Sequence, residues 1–231
     1  MMLLDGKIVN NKLFSKAFFL ILAITLVVMV ISTPVFAASN STVINEESII
    51  ARMNEQGIDK NVQESLMKKI KNGELLDCEK PEQIQEATKH LKVSRENPKA
   101  EYTFDDGSKI IREIIVEKEE ITPSGVIENT ITVKDGTTFI TAEYKAKILL
   151  NTDYTASSIL NVWDDRITVI SGDFSNEVLR IISPTQQGIT PAHARLSFKY
   201  QYKALGWEVR TGTAWLELFV RDTNYWTSWS Y

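Results

Sequence analysis

Two histidines and one cysteine are the side chains of this sequence best suited to nucleophilic, acid–base or metal chemistry, and the acid pairs Asp105–Asp106, Glu119–Glu120 and Asp164–Asp165 join them. A catalytic nucleophile needs a base beside it, and a zinc ion needs three or four suitable ligands. His90 lies next to Lys89 among charges, and His193 follows Thr190-Pro191-Ala192. Neither stands near a glycine-framed serine, and with Cys78 they are too scattered to suggest a zinc set. Glycosidases use two carboxylates across a cleft, but neighbouring residues of a strand point to opposite faces. Asp105–Asp106 and Asp164–Asp165 therefore read as turn residues. Neither shows the D-x-D-x-D-G spacing of a calcium loop, and no phosphate-cradling glycine loop is present. No cofactor is implied. Cys78 reads as a small buried hydrophobe, with a dimer-forming disulfide as the rival and a catalytic thiol last.

The feature that points furthest toward function is aromatic. Trp207, Trp215, Tyr225, Trp226, Trp229 and Tyr231 crowd the C-terminal end, with Tyr200 and Tyr202 just before. Such rings either fill a core or form a face that stacks on sugars or anchors a protein. Trp215 is opposite in parity to Leu216 and Leu218, so it turns away from them, to an outer surface or under the N-terminal helices. The predicted ligand-binding face is Trp215, Trp226, Trp229 and Tyr231.

These residues need a scaffold, and the compartment constrains it. Ala17 to Ala37 carries no charge, follows Lys7, Lys12 and Lys16, and closes on Val35-Phe36-Ala37. That pattern reads as an export signal with cleavage after Ala37. The rival is an uncleaved anchor helix, since spanning a bilayer takes about 20 apolar residues. Removing the leader takes away three lysines and Asp5 and leaves 23 basic and 29 acidic residues, a formal charge of −6. An acidic chain is a poor partner for nucleic acid or an anionic membrane. A lone cysteine means that the fold must be stable without an internal disulfide.

Asn45 to Asn72 reads as two short helices. Asn45 and Asp59 are their caps, Gly57 separates them, and Gly73 stops the second. Ile49, Ile50 and Met53 form one stripe; Val62, Leu66 and Ile70 form the other. Pro81 suits the first position of a third helix, reaching Leu91. Lys92 to Lys99 reads as a linker. After Ala100 the period becomes two, with turns at Asp106-Gly107, Pro123-Ser124-Gly125, Asp135-Gly136, Asp164-Asp165 and Leu205-Gly206. Tyr144, Ala146, Ile148 and Leu150 share one face. So do Leu196, Phe198, Tyr200 and Tyr202, and so do Ala214, Leu216, Leu218 and Val220. The last residues read as an aromatic tail. About nine strands with tight turns predict a mainly β fold, an antiparallel β-sandwich or barrel preceded by a short helical segment.

Two local motifs, Leu66-Met67-Lys68-Lys69-Ile70-Lys71-Asn72-Gly73-Glu74-Leu75-Leu76-Asp77-Cys78 and Tyr102-Thr103-Phe104-Asp105-Asp106-Gly107-Ser108, together resemble a layout of uncharacterised secreted proteins of Gram-positive bacteria. In that layout a capped helix leads to an acidic residue, and a D-G-S turn opens a β-domain. Cys78 stands where the layout has a small residue such as serine. The resemblance implies an envelope or extracellular location and a domain boundary, and it carries no activity.

The resulting expectation is a signal peptide over 1–37, a helical segment and linker over 38–100, and a β-domain over 101–231. The protein is then secreted, without a stable membrane anchor, and binds a cell-wall glycan or an extracellular protein rather than nucleic acid. A secreted toxin or inhibitor is the alternative, and a hydrolase with an unrecognised carboxylate pair is the third reading.

Overall fold

Leu66 and Ile70 recur four apart on one helix face, and both are buried; Gly73, at φ 85°, then ends that helix by returning its N–H to the Ile70 carbonyl. A left-handed stop of this kind is open to glycine at little cost. The computed structural model describes residues 46–122, 126–151, 156–202 and 210–230. The expected leader with its cut at Ala37, the cap Asn45, the turns at Pro123-Ser124-Gly125 and Leu205-Gly206, and the rings Trp207 and Tyr231 lie outside the described residues. Helix α1 spans Glu46–Glu55, α2 spans Lys60–Asn72 and α3 spans Pro81–Thr88 with proline in its first turn. Ile49 and Met53 of α1 are buried, while Ile50 is left exposed. Among the described residues no helix is long and apolar enough to cross a membrane.

Nine described strands follow, in two antiparallel sheets. One holds β1 (Lys99–Thr103), β2 (Lys109–Ile121), β3 (Ile127–Gly136), β4 (Ile140–Leu150) and β5 (Ser158–Val169) in that order. The other holds β6 (Gly172–Ser183), β7 (Ala192–Tyr202), β8 (Arg210–Arg221) and β9 (Asn224–Ser230). The fold is mainly β, as the alternation predicts. The three apolar sets on β4, β7 and β8 are all buried and meet in one interior. Ile49, Met53, Leu66 and Ile70 belong to the same cluster, so helices and sheets share one core.

The two motifs behind the family resemblance touch. Asp106 Oδ2 accepts the Asp77 N–H at 2.9 Å and pairs with Lys69 Nζ at 3.1 Å, while Ser108 Oγ accepts the Cys78 N–H at 3.1 Å. Gly107, at φ 87°, has room for no side chain, because an added Cβ would strike Val62 of α2. Val62 thus packs on the Asp106-Gly107 turn and fixes α2 against the first hairpin.

Three features differ from the sequence reading. Asp135-Gly136 is not a turn: Asp135 is fully buried at the end of β3 and pairs with Arg112 of β2, and the chain reverses one step later, at Thr137–Phe139. Arg112 Nη1 also donates to the Leu91 carbonyl at 2.8 Å, which ties the end of the helical segment to the sheet. Asp164-Asp165 does not make a hairpin either. Asp164 adopts φ 54° inside a continuous β5, where the register against β4 shifts between Glu143 and Lys145. An extra residue in a bulge needs the same left-handed tolerance as a turn, so the sequence signal is shared. Finally, Lys92–Lys99 is pinned rather than free. Ser94 bridges Trp226, and Arg95 donates its N–H to the Tyr225 carbonyl at 3.1 Å, so the segment covers the outer edge of β9 on its way to β1.

Candidate functional site

The outer faces of the two sheets differ in chemistry. On the five-stranded sheet, outward residues neutralise one another: Glu143 meets Lys134 at 3.5 Å and Arg166 at 3.6 Å, Lys145 meets Glu117 at 3.2 Å, and Lys147 meets Glu128 at 2.7 Å. Exposed pairs of this kind keep a face solvated and add little stability.

The four-stranded sheet carries rings instead. Its register lines up His193, Phe219 and Trp226 across β7, β8 and β9. Their planes stack, with centroids 4.5 Å apart for His193–Phe219 and 5.6 Å for Phe219–Trp226. Arg221 lies over Trp226 at 5.8 Å. The next row of the sheet is ionic: Glu217 accepts from Arg195 Nε at 2.8 Å and stands 3.1 Å from His193 Nε2. Partial burial pulls the His193 imidazole below its ordinary value, so at pH 7 the ring is neutral. Because these rings lie against each other, much of their flat surface is already used; the row stiffens the sheet more than it offers a platform.

Trp215 is the exception. It is outward, as its parity predicts, and 38% exposed, with Arg195 over its ring at 5.8 Å. It opens onto a cleft of about 700 Å³ between α3 and β8. Ser230 pairs with Trp215, and among the described residues nothing pairs with the β9 side of β8 between Arg210 and Ala214. Ile84, Gln85 and Thr88 of α3 form the opposite wall, spaced to lie along one helix face.

Trp229 lines the same cleft from within. It was expected on a binding face with Trp215 and Trp226, but its indole is 4% exposed and packs edge-on against Phe198 at 6.1 Å. Register explains this: Trp229 pairs with Leu216, an inward residue, so it faces the interior too. The structure therefore brings Trp215 and Trp229 to one cleft, leaves Trp226 in the outer ladder, and does not describe Tyr231.

Sequence reasoning missed the floor. Tyr200 lies across Gly212, where any side chain would collide with the phenol, and its hydroxyl hydrogen-bonds Arg210. Deeper in, Tyr202 donates its hydroxyl to Glu79 Oε2 at 2.6 Å. Burial pushes the Glu79 carboxyl above its ordinary value, against the opposing pull of Thr137, Tyr202 and Arg210. Cys78, next to it, is wholly buried, and burial raises its thiol far above the ordinary range, so it is the small buried hydrophobe rather than a nucleophile or an intermolecular link. A lone glutamate after a helix stop carries no sequence signal; only the fold places it under the cleft.

The lining is thus three rings, several hydroxyls, one amide and one guanidinium. Among the described residues no carboxylate, imidazole or thiol lines it. Thr211 and Thr213 add hydroxyls on the strand side. A cleft of similar size between α1 and the β4–β5 end is walled by the ion-paired Glu143 and Arg166, and another sits on the outer side of α1 and α2. Neither combines open rings with unpaired strand edge.

No family model matches the chain, and no curated protein matches it at a significant level. Among solved structures, the 2.75 Å crystal structure of hypothetical protein lmo2686 from Listeria monocytogenes EGD-e aligns with 61% of this chain and 97% of its own, at 12% identity and a TM-score of 0.34. A likeness of that size carries no argument about activity.

Proposed function

We propose that this protein is a binding module acting outside the cytoplasmic membrane, at the envelope or in the medium, and that its ligand is a glycan held in the cleft between α3 and β8. The observation that carries the reading is the cleft lining. Trp215 supplies open flat apolar surface, backed by the largely buried rings of Trp229 and Tyr200, while Gln85, Thr88, Thr211 and Thr213 supply polar groups. That mixture suits a sugar ring, whose faces are apolar and whose rim is hydroxylated. The uncharged leader from Ala17 to Ala37 supports the location.

The test is a pull-down of the purified protein on insoluble cell-wall polysaccharide, with the melting transition measured alongside. Trp215→Ala should lower the bound fraction at least about tenfold, as for a central aromatic anchor. It should leave the melting temperature nearly unchanged, because the ring is an outer one with a single cation–π neighbour worth about 0.5–1 kcal/mol. Unaltered retention by the variant would remove the proposal. Trp229→Ala is unsuitable as a probe, since emptying a core site of that size costs about 3–5 kcal/mol.

A further inference from the structure

Arg210 is the one charged side chain among the described residues that line the cleft. It forms no ion pair with a carboxylate among the described residues, although sixteen lysine– or arginine–carboxylate pairs occur elsewhere among them. Its Nη1 is buried without a hydrogen-bond partner. Arg112, a buried arginine, behaves differently from the half-buried Arg210: it spends its fork on Asp135 and the Leu91 carbonyl. A guanidinium presents five donors in a planar fork that matches a carboxylate in two parallel hydrogen bonds. Leaving a buried donor unmatched costs about 1–3 kcal/mol. Arg210 hydrogen-bonds Tyr200, whose phenol lies across Gly212, so the guanidinium is tethered within the cleft lining.

We infer that Arg210 selects a sugar carrying a carboxylate, with the sugar ring against Trp215 and the acid group on the guanidinium. This deepens the binding-module reading and rests on it. The cleft lining offers the acid a cation and, among the described residues, no carboxylate; Glu79 lies beneath Tyr202, outside the lining though within electrostatic reach of Arg210. Selection is local. The chain as a whole carries a formal charge of −4, so its long-range field does not draw anions in.

The experiment is calorimetric titration of the purified protein with two disaccharides, N-acetylglucosaminyl-N-acetylmuramic acid and N,N′-diacetylchitobiose. They share both rings and differ in the lactyl carboxylate. The acidic disaccharide should bind at least about tenfold tighter, the worth of one hydrogen-bonded charge pair. Added salt should weaken the acidic ligand alone. Arg210→Gln should erase the difference between the two disaccharides, and Arg210→Lys should recover only part of it. Equal affinity of the wild-type protein for the two disaccharides overturns the role of Arg210 and leaves the binding module standing. N-acetylglucosamine 1-phosphate binding as tightly as the acidic disaccharide overturns the carboxylate assignment. Failure of both disaccharides to bind, together with undiminished wall retention by Trp215→Ala, overturns both readings. The comparison of the two sugars on wild-type protein decides the matter even if an Arg210 variant folds poorly.

Discussion

Glu79 shows how a side chain can be held in a setting that opposes its ordinary charge. It is a carboxyl inside the core, beneath Tyr202 and beside Cys78, with burial as the main influence. Its folded-state pKa lies above the unfolded one, so the folded state holds its proton more tightly. The group favours folding most below the ordinary carboxylate range, and that contribution falls as pH rises through this range toward the raised value. Glu79→Gln keeps the shape and can still accept from Tyr202. Thermal melts of the two proteins should therefore diverge with pH, the variant gaining in melting temperature at pH 8 relative to pH 5. A constant offset between them would contradict the assignment. At this scale the sequence was informative where a strand could be recognised. Parity placed Trp215 outward because Leu216 and Leu218 lay in a clear alternation. The inward orientation of Trp229 was not legible, because Asn224–Ser230 looked like a tail, and without a strand there was no parity to apply.

At the scale of elements, alternation and turn residues located the sheet strands apart from β9, and went astray elsewhere where one residue type serves three geometries. Aspartate suits a turn, a bulge and a buried pair alike. Asp105-Asp106 took the first role; Asp164 took the second, and Asp135 the third. Nothing local distinguishes them, because the deciding neighbour of Asp135 is Arg112 on another strand. Arg112–Asp135 also joins β2 and β3 to the end of the helical segment. Breaking it from one side leaves a buried charge without its partner. Arg112→Ala alone should lower the unfolding free energy by about 3–5 kcal/mol in urea titration. Replacing both residues with apolar ones of similar size should cost much less than the two single changes summed. A cost equal to that sum would show that the two side chains act independently.

For the whole molecule, the sequence expectation of a helical segment followed by a β-domain captured the order of elements, and the shared core shows how closely the two depend on each other. Leu66 and Ile70 belong to the same buried cluster as Leu196 and Leu216. Distance along the chain hides this, because an amphipathic stripe reveals that it is covered without revealing by what. A chain starting at Lys99 should therefore lose its cooperative transition, with calorimetry showing no heat-absorption peak where the intact protein shows one. A retained sharp peak would mean that the sheets suffice alone.

The sheets are simple meanders, every strand pairing with its neighbours in sequence, so nearly all their ladders close over short loops. The contact of Arg95 with Asn224 is of another kind, joining residues 129 positions apart. Closing so wide a loop is entropically the most demanding event in assembly. β9 must also have emerged before the seam can be sewn. Until then the far rim of the second sheet stands open, and a nascent chain at that moment is most exposed to pairing with a stranger.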